Sequence, residues 1–259
     1  MEEAAASGLE TVILVIAKGK NLVAEHFHRN LELEDALVQR GKSEDAELIR
    51  RLSELIDIRT VHQEAPVGLA DAIRSARSLV GNEPFAVILP DVLIDAAIPC
   101  TRQLINCYEK HPGCIIATRT IYPTEADRFG VLDVTPQPDR CCAGRTLRVT
   151  GVTERPQPQT AFSPYGIFGR YILDPAIFSC IERTRPGFAG ELQLTDSLLL
   201  SPGRVPLYAY LFQGSHYDAV NKLGFVQATV AYALKDPELA KSLQEHWKRL
   251  QPPNIKGAV

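Results

Sequence analysis

Short apolar runs alternate with amphipathic stretches along most of the chain. Thr11–Ala17 (TVILVIA) is continuous, apolar and rich in β-branched residues, the pattern of a strand buried on both faces of a parallel sheet. Residues 58–62, 85–89 (FAVIL), 114–119, 167–173 and 205–211 predict further strands. Between them the apolar period is helical. Residues 43–56 place Leu48, Ile49, Leu52, Leu55 and Ile56 on one face, and 69–80 do the same with Leu69, Ala72, Ile73, Ala76 and Leu79. Helices are also predicted over 20–27, with Asn21 near the N-cap, and over 98–110, 192–199 and 221–234. Regular alternation of strand and helix predicts a doubly wound, mostly parallel α/β sheet. In 124–164 proline becomes frequent and strand-like pieces stand at 130–134 and 147–152, which reads as an insertion at the sheet edge. The chain then divides into an α/β domain over 1–235 and a helical tail over 236–259. In the tail Asp236 caps a helix with Pro237 at its first position. Its stripe of Leu239, Leu243, Trp247 and Leu250 packs on the domain or meets a partner subunit.

The 259 residues are 45% hydrophobic and 23% charged, enough for a full core without staples. A net charge of −3 speaks against nucleic acid or an anionic membrane as partner. No apolar run has the length of a membrane span, and the acidic opening MEEAAASGLE lacks the basic-then-apolar order of a secretion signal. The cytoplasm is the expected location. Cys100, Cys107, Cys114, Cys141, Cys142 and Cys180 form no CxxC pair and read as free thiols.

Candidate chemistry sits at strand ends, where ligands bind in open α/β sheets. Asp91 follows FAVIL-Pro directly; Asp218 follows a strand and a polar turn and precedes a helix. Two carboxylates so placed can share one divalent ion and neutralise phosphoryl charge, or each can simply cap the next turn. Glu154-Arg155-Pro156 sets an acid and a base beside a rigid residue: the Glu suits sugar hydroxyls and the Arg a phosphate, unless the two are a solvated pair. Walker A, GxGxxG, HExxH and GxSxG are all absent from the sequence.

Together these segments resemble the bacterial UTP–glucose-1-phosphate uridylyltransferases. The resemblance rests on residues 80–91, Phe129-Gly130-Val131, Glu154-Arg155-Pro156, Gly169-Arg170-Tyr171, the run Gly190 to Asp196 (GELQLTD), and Asp218 with Asn221 to Gly224 (NKLG). It implies Mg²⁺-dependent transfer of UMP from UTP to glucose 1-phosphate, giving UDP-glucose and pyrophosphate. It implies that Asp91 and Asp218 hold Mg²⁺, that Gly130 and Glu154 contact glucose, that Arg155, where the family has Lys, meets the phosphate, and that Gln63 and Gly68 lie by the uracil and ribose. It also implies pairing through C-terminal helices, as a homo-oligomer or with a full-length paralogue.

The sequence departs from the family in several places. The family opens with a strand, a GxGTRxLP-type glycine-rich loop and a PKEM-like motif, whereas MEEAAASGLE corresponds to the middle of its first helix. The absent strand would lie between 11–17 and 85–89, so two open strand edges are expected. The fragment is then expected to be marginal, rearranged, or completed by another chain, and impaired or inactive in turnover. The alternative is a non-catalytic sugar-nucleotide-binding or regulatory partner of a full-length uridylyltransferase. The family's GLGHA reads Gly68-Leu69-Ala70-Asp71-Ala72, which is expected to bring a methyl and a negative charge towards the nucleotide; Val220 replaces a glycine, and Pro164 falls where the family has Asn.

Overall fold

A computed structural model describes residues 1–20, 22–136, 144–157, 163–200 and 205–250. Asn21, Cys141 and Cys142 lie outside the described residues. In chain order α1 (Glu2–Ala6) leads into β1 (Thr11–Ala17), followed by α2 (Leu22–Glu25), α3 (Leu31–Gln39), α4 (Ser43–Ser53) and β2 (Asp57–Gln63). Next come α5 (Leu69–Ser75), α6 (Arg77–Val80), β3 (Phe85–Ile88), β4 (Val92–Asp95), α7 (Cys100–Tyr108) and β5 (Cys114–Thr120). The insertion supplies β6 (Gly130–Pro136) and β7 (Thr146–Glu154), after which β8 (Tyr165–Leu173), α8 (Ile177–Ile181), α9 (Leu194–Leu199) and β9 (Leu207–Leu211) return to the main sheet. The chain closes with β10 (Ser215–Asp218), α10 (Lys222–Ala233) and α11 (Pro237–Leu250).

These elements form two compact units. One is Met1–Ile88 with Ala96–Gln213; the other is Leu89–Asp95 with the chain from Gly214 onward. In the first, six strands stand in the order β3-β8-β5-β9-β7-β6, and β6 also pairs with β8. The insertion, expected at the sheet edge, supplies the last two strands of this order, but β6 is paired on both sides, by β7 and by β8. The α/β architecture is as expected, but among the described strands only β1–β2 and β5–β9 run parallel. The strand β8 is the reason: it returns from the insertion antiparallel to both β3 and β5. The core lies where β5 and β8 are covered on their faces. Ile115, Ile116, Leu132, Leu173, Ile177 and Leu198 are fully buried, and Phe178 of α8 stacks on Phe85 at 5.3 Å. Cys100, Cys107, Cys114 and Cys180 are buried and form no disulfide with a described residue, and burial pushes the Cys100 and Cys114 thiols up to about 12, which suits those two to packing.

The pair β1–β2 forms its own parallel sheet. Among the described residues β1 pairs only with β2 and β3 only with β8, so each has one open edge. The helix α1 is tied to this unit by a buried ion pair: Arg170 of β8, 3% exposed, donates through Nε (3.0 Å) and Nη2 (2.9 Å) to Glu3. Thr101, at the start of α7, donates its N–H and hydroxyl to the same carboxylate.

Two helices differ from expectation. The periodic stretch 69–80 is broken at Ala76, where Ser75 Oγ bonds back to the Asp71 carbonyl (3.0 Å), a bond that bends helices. The helix α3 was not expected; Asn30 caps it by accepting from Leu33 N (3.0 Å).

In the second unit β4 and β10 pair antiparallel, with Asp218 opposite Val92. Asn221 caps α10 through Gly224 N (2.7 Å), and Asp236, as predicted, caps α11 through Glu238 N (2.8 Å) and Leu239 N (2.9 Å). No helix of the described residues is long and apolar enough to cross a membrane.

Candidate active site

Three groups of candidate residues are assembled, two in the first unit and one in the second. In the first group the sheet register sets Gly130, at the start of β6, opposite Glu154, at the end of β7. A Cβ at Gly130 would stand 2.9 Å from Ile167 Cδ1 and 3.0 Å from Thr195 Cγ2, so only glycine leaves that wall undisturbed. Glu154 Oε2 accepts a hydrogen bond from Thr195 Oγ1 (2.9 Å), and Glu154 Oε1 lies 3.5 Å from Arg155 Nε. Arg155 adopts a left-handed backbone (φ +41°), unusual for a residue with a side chain, and its N–H donates to the Phe129 carbonyl (3.1 Å). Its half-exposed guanidinium lies over the Phe188 ring.

The second group surrounds Gln63, the last residue of β2. Gln63 Nε2 donates to Asp71 Oδ2 (2.8 Å) and to the Gly68 carbonyl (3.3 Å). Asp71 accepts and cannot donate, which fixes the amide so that Oε1 is the atom left without a donor among the described residues. Gly68 has φ +121°, and a Cβ there would be 2.5 Å from the Leu192 carbonyl oxygen. The loop is zipped to the GELQLTD run by Leu192 N to Val67 O (2.7 Å) and Ala70 N to Leu192 O (3.0 Å). Two expectations for this loop change. Ala70 is fully buried in the core, so its methyl faces packing and not a ligand. The charge of buried Asp71 is met by Arg74 one helical turn on.

The third group is the carboxylate pair. Asp91 directly precedes β4 and Asp218 ends β10, and Ala219 N donates to the Asp91 carbonyl (2.8 Å), so the two residues are neighbours across this ladder. Asp218 also performs the capping role: its carboxylate accepts from Val220 N (3.0 Å) and Asn221 Nδ2 (2.8 Å). The exposed Asp91 carboxylate makes no hydrogen bond or ion pair with a described residue. A Cβ at Gly224 would stand 2.1 Å from the Asp218 carbonyl oxygen, which explains the glycine of NKLG. No cluster of three or more His, Cys, Asp or Glu exists among the described residues, so any cation here would complete its shell from substrate or water. An open hollow of about 450 Å³ lies elsewhere, beside Phe27, His28, Arg29 and Glu54, and no candidate residue lines it.

With this geometry in place, comparison with known proteins is decisive. The Nucleotidyl transferase family model matches residues 1–232. A UTP–glucose-1-phosphate uridylyltransferase of Staphylococcus haemolyticus is 38% identical over 250 residues, 96% of this chain and 85% of the relative. The chain belongs to the UTP–glucose-1-phosphate uridylyltransferase family. Its fold is that family's fold. A UDP-glucose pyrophosphorylase complexed with UDP-glucose superposes with a TM-score of 0.79 at 30% identity, covering 91% of this chain and 85% of that one. A UTP-bound enzyme from Acinetobacter baumannii gives 0.83 at 30% identity, over 96% and 86%. Sequence reasoning quoted the GELQLTD run of this family without giving Thr195 a role, and it took Asp71 for a bare charge. The signal for Thr195 lay in the motif, but its contact with Glu154 is made only in the fold.

Proposed function

We propose that the chain transfers UMP from UTP to glucose 1-phosphate, releasing pyrophosphate and giving UDP-glucose, in place of the impaired turnover expected above, since Ala70 is buried in the core and Asp71 is paired with Arg74. The sugar phosphate oxygen forms a bond to the α-phosphorus in line as the bond to the pyrophosphate oxygen breaks. The observation that carries this reading is the backbone adjacency of Asp91 and Asp218 at the end of β4–β10, where Ala219 N donates to the Asp91 carbonyl and Asp218 stands opposite Val92. Two carboxylates plus substrate phosphates are the oxygen set Mg²⁺ takes, so these residues suit it. The ion, when bound, would neutralise charge at the phosphoryl centre.

The other residues position the reactants. Arg155 would pair with the sugar phosphate through its planar fork, a geometry the family's Lys does not offer. Glu154 and Gly130 would receive the hexose. Gln63 and Gly68 would receive the uracil and ribose, with Gln63 Oε1 the atom left to read the base.

Incubation with UTP, glucose 1-phosphate and Mg²⁺ is expected to release pyrophosphate, and EDTA to abolish the release. UDP-glucose binding without turnover would sink the catalytic reading and assign the chain to the non-catalytic partner role. Release unaffected by chelation would remove the metal from the mechanism.

A second copy of this chain is the proposed partner of α11. No residue of that helix is buried, and Leu239, Leu250 and Trp247, the last 73% exposed, lie along it. Light scattering at twice the chain mass is the expected result; the mass of a single chain at micromolar concentration would refute it.

A further inference from the structure

Thr195 is 6% exposed, in the first turn of α9, yet its hydroxyl serves neither helix nor core. It donates to Glu154 Oε2 at 2.9 Å. A carboxylate only accepts, so the direction of this bond is fixed and the single hydroxyl proton of Thr195 is committed to it. The other contact at the Glu154 tip is the weaker one: Arg155 Nε stands 3.5 Å from Oε1, on a side chain that is half exposed. The Thr195 methyl closes the same wall, since Cγ2 would stand 3.0 Å from a Cβ at Gly130. Thr195 therefore reaches both residues offered above as the hexose contacts.

We propose that Thr195 is the positioning residue of the sugar site. Its hydroxyl holds the Glu154 carboxylate in one orientation, leaving the remaining lone pairs aimed at hexose hydroxyls. This rests on the reading of Glu154 as a sugar contact. Without the hydroxyl the Glu154 side chain must be ordered by the ligand, at a cost in affinity. The effect is expected on the hexose and not on the nucleotide, because the Thr195 hydroxyl bonds Glu154 and, among the described residues, neither Gln63 nor Gly68 hydrogen-bonds it.

Calorimetric titration with UDP and with UDP-glucose tests this. The ratio of the two dissociation constants isolates the gain from the hexose. Thr195→Val, which keeps the shape and removes the hydroxyl, is expected to cut that gain about tenfold, the scale of one hydrogen bond to a charged group. Affinity for UDP is expected to stay within about twofold, and Thr195→Ser, which keeps the hydroxyl and loses only the methyl, to restore most of the gain. UDP-galactose, which differs at a single hydroxyl, should be rejected less sharply by Thr195→Val than by the wild type.

Three results would overturn the proposal. If Thr195→Val keeps the gain while Glu154→Gln loses it, Thr195 has no positioning role. If Thr195→Val weakens UDP and UDP-glucose equally, its role is only structural. If Glu154→Gln leaves the gain intact, or if the wild type shows no gain, the sugar-site reading itself fails and the proposal falls with it.

Discussion

Asp91→Asn is expected to lower uridylyl transfer by on the order of 10³-fold, because a metal ligand at a phosphoryl centre supplies several kcal/mol of transition-state stabilisation. The variant is informative because the Asp91 carboxylate has no hydrogen bond or ion pair to lose among the described residues. Its stability should be that of the wild type. Asp218→Asn differs. The Asp218 carboxylate accepts from Val220 N and Asn221 Nδ2, and Asn221 in turn spends its Oδ1 on Gly224 N. An amide at 218 replaces one of the two accepting oxygens with an NH₂ group, so one of these partly exposed bonds is lost, at about 0.5–1.5 kcal/mol. Asp218→Asn should therefore lose both rate and stability. Pyrophosphate release at saturating Mg²⁺, paired with urea denaturation, separates the two. If Asp91→Asn retains more than about a tenth of the wild-type rate, a loss of under 1.4 kcal/mol, Asp91 is not a metal ligand.

Glu3→Ala should give the largest loss of stability, about 3–5 kcal/mol, because it takes the carboxylate partner from a buried guanidinium. Arg170 is 3% exposed, and Glu3 meets it with both oxygens. Replacing both, as Glu3→Leu with Arg170→Met, is expected to recover most of the loss, since an apolar pair carries no desolvation cost. Acid should act through the same pair. Burial alone would raise the Glu3 carboxyl, but the hydrogen bonds and charge of Arg170, with the Thr101 donors, outweigh it and hold it below the ordinary 4.5. A depressed carboxyl contributes stability above its unfolded value and loses it as pH falls through the folded one. Wild-type stability should thus decline below about pH 4.5 with a component that Glu3→Ala lacks. Urea midpoints from pH 7 to pH 3 measure this, and parallel curves for the two proteins would refute it.

The sequence was most legible where a local pattern and the tertiary environment agree. The run at β1 and the capped starts of α10 and α11 follow from a few consecutive residues. The stretch around Asp91 was harder. FAVIL reads as one strand ending at a carboxylate, whereas β3 ends at Ile88 and Asp91 begins a different ladder, β4 with β10. Four residues are too few to announce β4 by periodicity. The helix α3 escaped because Leu31, Leu33 and Val38 are exposed and mark no buried face; only Asn30 signalled it. In the site, the residue types at 63, 130, 154 and 155 were readable, but their supports were not. Thr195 lies 41 positions from Glu154, and the left-handed backbone of Arg155 is set by a carbonyl at Phe129.

The run from Gly190 to Asp196 is joined at Leu192 to the loop bearing Gly68 and at Thr195 to Glu154. One short run thus sets the span between Gly68 and Glu154, the residues proposed for the nucleoside and the hexose, much as the bar of a caliper sets its jaws. Lengthening or shortening that run by a residue should disturb both ends together.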